Sequence, residues 1–215
     1  MNVSPAKENM LKKIRKALTQ STPLPFPNSE GNSSVFQPST QELEVEFAEQ
    51  FSKLLGKFAY CANLTDLVNQ VGQLIKQQEW NKVYCQEQKL GSLMAPAVGN
   101  QEFYADLASS DIAITGCECL IARTGSIVLS SAQESGRTTS VYAPIHICIA
   151  GVNQLVYDIR DALQFMKDKY GQQLPSVISL ATGPSRTADI EKTLVVGVHG
   201  PKEVYLFLVE DLPSF

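Results

Sequence analysis

Between residues 58 and 86 the chain alternates strand, helix and strand, and this alternation constrains the fold more than any other feature. The stretch FAYCA (58–62) predicts a short buried strand, LTDLVNQVGQLIKQQ (64–78) has the spacing of an amphipathic helix, and KVYCQ (82–86) predicts a second strand. Two strands joined through a helix run parallel, because a crossover of this length returns the chain in its original direction. The alternation therefore predicts an α/β fold with a Rossmann-like sheet.

The second half of the chain is rich in short apolar stretches that complete the predicted sheet. Residues 111–117, 119–123 and 126–131 lie too close together for helical crossovers, so we expect antiparallel hairpins there. An amphipathic helix is predicted over 153–171 and ends at Gly171. Further strands are predicted at 144–151, 175–181, 193–200 and 203–211. Together these elements predict a mixed sheet in a single α/β domain over residues 40–215.

Residues 1–39 differ in character and are predicted to form an N-terminal arm. One face of a predicted basic helix over 5–19 carries Met10, Leu11, Ile14 and Leu18. The stretch TQSTPLPFPNSEGNSSVFQPST (19–40) contains four prolines and is typical of a linker. A short helix on such a tether is either a solvated chain end or a docking helix for a neighbouring subunit, which includes assembly of a homo-oligomer through the arm.

The charge balance and the apolar segments exclude several classes of protein. With 18 basic and 22 acidic residues the net charge is -4, which argues against a nucleic-acid partner. No apolar run approaches the roughly 20 residues that span a bilayer, and the first 18 residues lack the apolar core of a secretory signal. We therefore expect a cytoplasmic protein without a membrane partner.

The five cysteines are odd in number and scattered along apolar segments, so we expect reduced, structural thiols. Cys117 and Cys119 form the only close pair, and they lack the second pair that a zinc or iron–sulfur site needs. The sequence therefore predicts no metal and no cofactor in this chain.

The stretch SLATGPSRTADIE (179–191) joins two predicted strands and is more polar than a turn requires. Gly183 permits close approach of the backbone, while Ser185 and Thr187 supply hydroxyl donors. Arg186 can hold a carboxylate or a phosphate through two hydrogen bonds. If ADIE begins a helical turn, its amides would also attract an anion. This composition predicts an anion site, although it matches neither a dinucleotide-binding nor a Walker fingerprint.

Polar residues after other predicted strands are further candidates, because ligands of open α/β sheets bind beyond the carboxyl ends of the strands. His146 lies at the head of the strand over 144–151, and His199 lies in a turn between Gly197 and Gly200. Either imidazole could act as a general base. The remaining candidates are Glu118, Thr124, Gly125, Arg137, Asp189 and Glu191. Asp189 and Glu191 would matter only if they point back toward Arg186 or His199.

The succession ITGCECLIARTGSIVLSS, SGR, APIHICIAG and ATGPSRTADIEKTLVVGVHGP resembles the LUD domain and, more closely, the lactate-utilisation protein C family. The resemblance is strong over the last half of the chain, and the basic helix with its Pro-rich tether also looks like that family's N-terminus. It implies a Rossmann-like sheet of the NagB/RpiA/CoA-transferase type, in agreement with the fold predicted above.

The resemblance also implies a role as a subunit of an L-lactate oxidoreductase complex that produces pyruvate. The implied partners are two subunits that carry iron–sulfur clusters, and the implied ligand is a small anionic substrate. Carried over by position, the site comprises Glu118, Thr124, Gly125, Arg137, His146, Gly183, Ser185, Arg186, Thr187, Asp189, Glu191 and His199. The family commonly has an acidic residue before the Thr-Gly pair, whereas this chain has Arg123.

Three functions remain open from the sequence. In the first, the chain binds a hydroxy acid: Arg186 grips the carboxylate and His199 or His146 takes the hydroxyl proton. In the second, it is a non-catalytic assembly subunit whose basic arm docks a partner. In the third, which rests on fold analogy alone, it acts on CoA or a phosphosugar.

Overall fold

The computed structural model describes residues 5–19, 41–99, 102–188, 194–197 and 199–213. The chain divides into two compact units, residues 1–38 and residues 39–215. The smaller unit contains helix α1 (Pro5–Leu18), in which the side chains of Met10, Leu11 and Ile14 are exposed. The described residues of the larger unit form a five-stranded, a four-stranded and a two-stranded sheet, and they line the two cavities that concern function.

A five-stranded parallel sheet forms the centre of the larger unit. Its strands, in spatial order, are β1 (Lys57–Cys61), β11 (Glu203–Val209), β6 (Ile145–Gly151), β3 (Ile112–Thr115) and β2 (Val83–Tyr84). Every neighbouring pair in this order is parallel. The three inner strands are buried almost throughout, which is why they read as continuous apolar runs rather than as alternating ones.

The register of the parallel sheet defines two edges. At the amino edge, Val204 of β11 lies beside His146 of β6. At the carboxyl edge, β3 ends at Thr115 and β6 ends at Gly151. Because all strands run in one direction, a residue that begins a strand and a residue that ends one lie at opposite edges.

A second, four-stranded sheet packs against one face of the first. Its order is β7 (Leu155–Val156), β4 (Cys119–Ile121), β5 (Ser126–Ser130) and β8 (Ile178–Ala181). The β4–β5 and β5–β8 pairs are antiparallel, and the β4–β7 pair is parallel. Residues 186–188 (β9) and 194–196 (β10) form a separate antiparallel pair. An apolar layer that includes Leu120, Ile127 and Leu206 lies between the two sheets.

Helices cover both sheets of the larger unit, and the last helix packs on β4 of the second sheet. They are α2 (Leu43–Lys53), α3 (Leu64–Gln77), α4 (Gln88–Met94), α5 (Thr139–Tyr142) and α6 (Ile159–Tyr170). Helix α3 buries Leu67, Val71 and Ile75 in the core cluster that contains Ile112 and Ile147. Helix α2 inserts two phenylalanines, Phe47 and Phe51, into the apolar layer between the sheets, where their rings stack with centroids 5.4 Å apart.

The predicted α/β fold with a Rossmann-like sheet is confirmed, and one strand assignment is corrected. We expected hairpins throughout 111–131, but only β4 and β5 form one. Strand β3 belongs to the parallel sheet, and residues 116–118 carry the chain from the first sheet to the second. A strand can change sheets without a helix when the two sheets pack face to face, and the prediction did not allow for this arrangement.

Helix ends differ from the predictions for local reasons. Helix α6 begins at Ile159 instead of 153, because residues 155–156 form β7 and the Asp158 side chain caps the helix by accepting from Arg160 N. Its end at Gly171 is confirmed. The helical turn considered at ADIE is wrong for Ala188, which belongs to strand β9.

No helix within the described ranges combines the length and the apolar composition needed to cross a membrane.

Candidate functional site

Two cavities adjoin the parallel sheet, and they share no lining residue. The first, which we call the histidine pocket, has a volume of about 240 Å³ and is lined by Arg137, His146, Ser185 and His199 together with apolar residues. The second, which we call the Glu118 cleft, has a volume of about 430 Å³. The histidine pocket lies at the amino edge, and the Glu118 cleft lies at the carboxyl edge.

The histidine pocket unites residues from both sheets and from three loops. His146 and Val204 come from the amino ends of β6 and β11, and Leu129 comes from β5 of the second sheet. Five of the twelve residues named from the sequence line this pocket: Arg137, His146, Gly183, Ser185 and His199. The amino edge is the opposite of the expected position, because parallel-sheet sites usually form beyond the carboxyl ends.

His146 is buried, with 1 % of its surface exposed. Its Nε2 lies 2.8 Å from Thr115 Oγ1, within hydrogen-bond distance. Burial lowers the pKa of His146 to about 4, because removal from water disfavours the charged imidazolium. The ring is therefore neutral at pH 7, and it serves the pocket as a fixed hydrogen-bonding group.

The loop that carries His199 is tied to the GPSR segment by main-chain hydrogen bonds. Ser185 N donates to Pro201 O, and Gly197 N donates to Ser185 O, both at 3.0 Å. Gly183 has a φ of 80°, and a Cβ there would lie 2.5 Å from Leu54 O. Glycine is therefore required at this turn, which brings Ser185 and His199 to the same cavity.

The two arginines named from the sequence lie in different places. Arg137 lines the pocket, and its Nη2 donates to Ser176 Oγ at 2.6 Å, which leaves other guanidinium N–H groups for a ligand. Arg186 is not among the pocket-lining residues; its Nη2 donates to Leu54 O on the segment after α2. The structure thus places Arg137, and not Arg186, at the cavity.

The predicted anion loop also includes Thr187, Asp189 and Glu191. Thr187 lies in strand β9 and pairs with Val195 of β10. Asp189 and Glu191 lie outside the described residues.

Thr124 and Gly125 lie in the turn between β4 and β5, away from both cavities. Thr124 Oγ1 is 2.7 Å from Ser126 Oγ, which in turn is 2.9 Å from Thr182 Oγ1. Gly125 has a φ of 60° and packs against the backbone of α2 near Phe51. Neither residue lines the two cavities, so the Thr-Gly pair shapes the fold at this position.

Arg123, the departure from the family's usual acidic residue, forms a two-point ion pair. Its Nε donates to Asp158 Oδ2 at 2.7 Å, and its Nη2 donates to Asp158 Oδ1 at 3.3 Å. The hydrogen bond from Arg123 lowers the pKa of Asp158 below its ordinary value. Arg123 therefore fixes the first turn of α6.

Glu118 lines the cleft at the carboxyl edge, apart from both histidines. Its carboxylate is buried and accepts from Ser130 Oγ at 2.5 Å, from Tyr170 OH at 2.8 Å and from Lys169 Nζ at 2.8 Å. Partial burial alone would lower the pKa of Lys169, but the hydrogen bond and charge of Glu118 outweigh it and the pKa is raised. Glu118 is thus a well-satisfied carboxylate that acts in a separate cavity from the imidazoles.

A second carboxylate of the cleft, Glu87, was not identified from the sequence. Both of its oxygens lie 3.1 Å from Gly116 N, at the end of β3. Burial raises the pKa of Glu87 despite hydrogen bonds from Ser135 and Gly116. Glu87 could have been identified from the sequence, because it lies just after β2. Lys169 and Tyr170 could not, because they lie at the end of an ordinary amphipathic helix.

All five cysteines have free thiols, and Cys117 lines the cleft. A hydrogen bond with Cys148, together with burial, raises the pKa of the Cys117 thiol well above its ordinary value. A thiol held in its protonated form is a poor nucleophile. Cys117 therefore contributes packing to the floor of the cleft.

Known proteins with similar sequences and folds agree with this architecture. The LUD domain matches residues 87–209. A lactate utilization protein C 1 from Bacillus mycoides is 30% identical over 166 residues, which cover 68% of this chain and 70% of that protein. A lactate utilization protein C from Bacillus licheniformis is 38% identical over 104 residues, which cover 47% of this chain and 43% of that protein.

An uncharacterized protein from Neisseria meningitidis is 33% identical over 108 residues, which cover 50% of this chain and 45% of that protein. The chain thus spans less than half of the length of several relatives that it matches. The crystal structure of a DUF162 family protein from Deinococcus radiodurans superposes with a TM-score of 0.55 at 19% identity, covering 80% of this chain and 99% of that one. This likeness supports the fold.

The parallel sheet, the second sheet packed against it and the cavities at its two edges define a Rossmann-like α/β protein. The chain belongs to the LUD domain family and, within it, to the lactate utilization protein C group.

Proposed function

We propose that this chain is a subunit of a lactate-utilisation system and that its histidine pocket binds L-lactate for oxidation to pyruvate. The observation that carries the proposal is that a guanidinium, two imidazoles and three serines line one cavity. They belong to Arg137, His146, His199, Ser140, Ser179 and Ser185. Proteins of this group are named for lactate utilisation, which supports the choice of ligand.

In this proposal, each polar side chain of the histidine pocket contacts a different part of the hydroxy acid. The Arg137 guanidinium holds the carboxylate, since its planar fork matches the two oxygens. His199 takes the proton of the hydroxyl group. His146, which is neutral because it is buried, orients that hydroxyl by a hydrogen bond.

Oxidation of lactate to pyruvate releases two electrons and two protons. His199 accounts for the hydroxyl proton in this proposal. The two electrons pass to redox groups of a partner subunit, for which the family resemblance suggests iron–sulfur proteins, and the hydrogen on C2 is released as the second proton. This chain then supplies binding and proton transfer.

Substitution of the two arginines tests the assignment, since Arg137→Gln and Arg186→Gln each remove one guanidinium and only the first changes the pocket. We expect Arg137→Gln to weaken L-lactate binding at least about tenfold, because a charge-assisted pair to the carboxylate is lost. Arg186→Gln should stay within about twofold of the wild-type affinity. Isothermal titration of L-lactate into the full chain measures both.

Equal losses of affinity in both variants would contradict the role of Arg137 and restore Arg186 as the carboxylate ligand. Absence of L-lactate binding to the wild-type chain at millimolar concentration would overturn the proposal. Lactate-dependent dye reduction with iron–sulfur partner proteins then distinguishes binding from turnover: a binding-deficient Arg137→Gln chain should reduce the dye more slowly.

A second candidate function is the assembly of the complex, and helix α1 favours it. Met10, Leu11 and Ile14 lie on one face and are 63%, 38% and 47% exposed. The rest of the helix carries basic residues, including Lys12 and Lys13. We propose that this apolar face docks an iron–sulfur partner subunit, because such a face on a soluble helix is typical of helix-in-groove recognition.

Two substitutions to asparagine test this docking. We expect Ile14→Asn to weaken co-purification of partner subunits at least about tenfold, since a buried apolar anchor is removed. Lys13→Asn, which changes the same helix to a similar extent, should weaken it by no more than about threefold. Unchanged complex formation by Ile14→Asn would exclude α1 as the docking element.

A further inference from the structure

The histidine pocket is larger than lactate requires. Its volume of about 240 Å³ equals the liquid volume of about eight water molecules. Lactate has six non-hydrogen atoms, of which five belong to the carboxylate, the hydroxyl-bearing carbon and the hydroxyl, and only one is an apolar methyl carbon. The space beyond that methyl group is therefore unfilled when the polar groups of lactate contact Arg137 and His199.

Most of the walls of the extra space are apolar, with Ser179, which pairs with Leu129, as a polar exception. Leu129 of β5 and Val204 of β11 are buried, with 6% and 1% of their surfaces exposed, and Ala181 of β8 lies on the same face of its sheet. None of these side chains can hydrogen-bond to water that fills the cavity. Water in such a space has few polar partners, so an apolar group of a ligand displaces it favourably.

One apolar side chain at the rim points to the same class of ligand. Val141 of α5 lines the pocket and is 42% exposed. An exposed valine at the mouth of an apolar cavity loses contact with water when a ligand side chain covers it. Val141, Leu129, Ala181 and Val204 therefore form an apolar subsite next to the polar groups that hold the carboxylate and the hydroxyl.

We infer that the pocket selects 2-hydroxy acids with a larger side chain than methyl, of about three to five carbons, over lactate itself. The inference rests on the proposed function, because it takes the polar half of the pocket to bind the hydroxy acid. Each additional carbon buried against the apolar subsite strengthens binding about fourfold. A four-carbon isobutyl side chain adds three carbons to lactate, so the affinity for 2-hydroxy-4-methylpentanoate exceeds that for L-lactate by at least about tenfold.

A homologous ligand series tests the inference. Glycolate, L-lactate, L-2-hydroxybutanoate and L-2-hydroxy-4-methylpentanoate are titrated separately into the full chain by calorimetry. The expected result is an affinity that rises along the series. If L-lactate does not bind at millimolar concentration, the proposed function fails, whether or not the longer acids bind. If L-lactate binds and the affinity is flat or falls along the series, the larger-ligand inference is overturned while the proposed function stands.

A pair of valine variants locates the subsite. Val141→Ala should lower the ratio of the 2-hydroxy-4-methylpentanoate affinity to the L-lactate affinity by about fivefold. Val45→Ala, on α2, truncates a valine of similar exposure, 45%, outside the pocket and should leave the ratio unchanged. Equal ratios in the two variants would overturn the assignment of the apolar subsite to this cavity.

Discussion

Replacing Gly125 by alanine is expected to lower the free energy of unfolding by about 3 kcal/mol, which is a large effect for one methyl group. Gly125 has a φ of 60°, a conformation that costs an alanine about 1 kcal/mol or more. An added Cβ would also lie 2.5 Å from Phe51 N and 2.8 Å from Gln50 C. These are backbone atoms of α2, so neither can move aside as a flexible side chain would, and the overpacking costs about 2 kcal/mol.

A substitution at a second glycine, Gly136, separates the dihedral cost from the overpacking cost. Gly136 has a φ of 65°, and a Cβ there would meet nothing within 4 Å. Gly136→Ala should therefore show the dihedral cost alone, about 1 kcal/mol. Urea denaturation of the full chain measures both variants. Equal losses of stability would show that α2 does not press against the β4–β5 turn.

Lowering the pH from 7 to 4 is expected to destabilise the wild-type chain by about 3 kcal/mol more than a His146→Gln variant. Burial places the pKa of His146 at about 4 in the folded chain, against an ordinary value of 6.5. Below pH 6.5 the unfolded chain binds a proton at this residue and the folded chain does not, so acid favours unfolding. The contribution is fully present above pH 6.5 and is lost as the pH falls toward 4.

Glutamine suits the comparison because its side-chain amide can keep a hydrogen bond with Thr115 Oγ1 while carrying no titrating group. The measurement is the free energy of unfolding at half-unit steps between pH 4 and pH 7.5 for both chains. Carboxylates titrate in the same range, but they contribute equally to both profiles, so the difference isolates His146. Parallel profiles would mean that the imidazole takes up its proton in the folded chain.

Most of the parallel sheet could be predicted from the sequence, because buried strands covered on both faces are continuous apolar runs. Strands β6 and β11 were found for this reason, and β1 with α3 followed from the strand–helix–strand alternation. Strand β7 was missed because two residues carry no periodicity. The membership of β3 and β4 in different sheets was missed because adjacency along the chain favours a hairpin, and only tertiary packing decides otherwise.

The sequence predicted which types of residue form the candidate site better than it predicted where each of them lies. Arg137 follows Ser135-Gly136 and Arg186 follows Ser185, both in polar segments, so the sequence cannot say which guanidinium reaches the cavity. That depends on the direction of the backbone after Gly183, which sends Arg186 toward Leu54. The separation of Glu118 from His146 was available in principle: one follows the end of a parallel strand and the other begins one, so they lie at opposite edges of the sheet.

The position of β11 has a consequence for how the protein is made. This strand occupies residues 203–209, yet it lies inside the sheet between β1 and β6, and its register joins Lys57 to Tyr205. During synthesis, β1 cannot pair with β11 until almost 150 further residues have left the ribosome. The parallel sheet therefore cannot close before β11 has been synthesised, and contacts between such distant segments favour slow final folding.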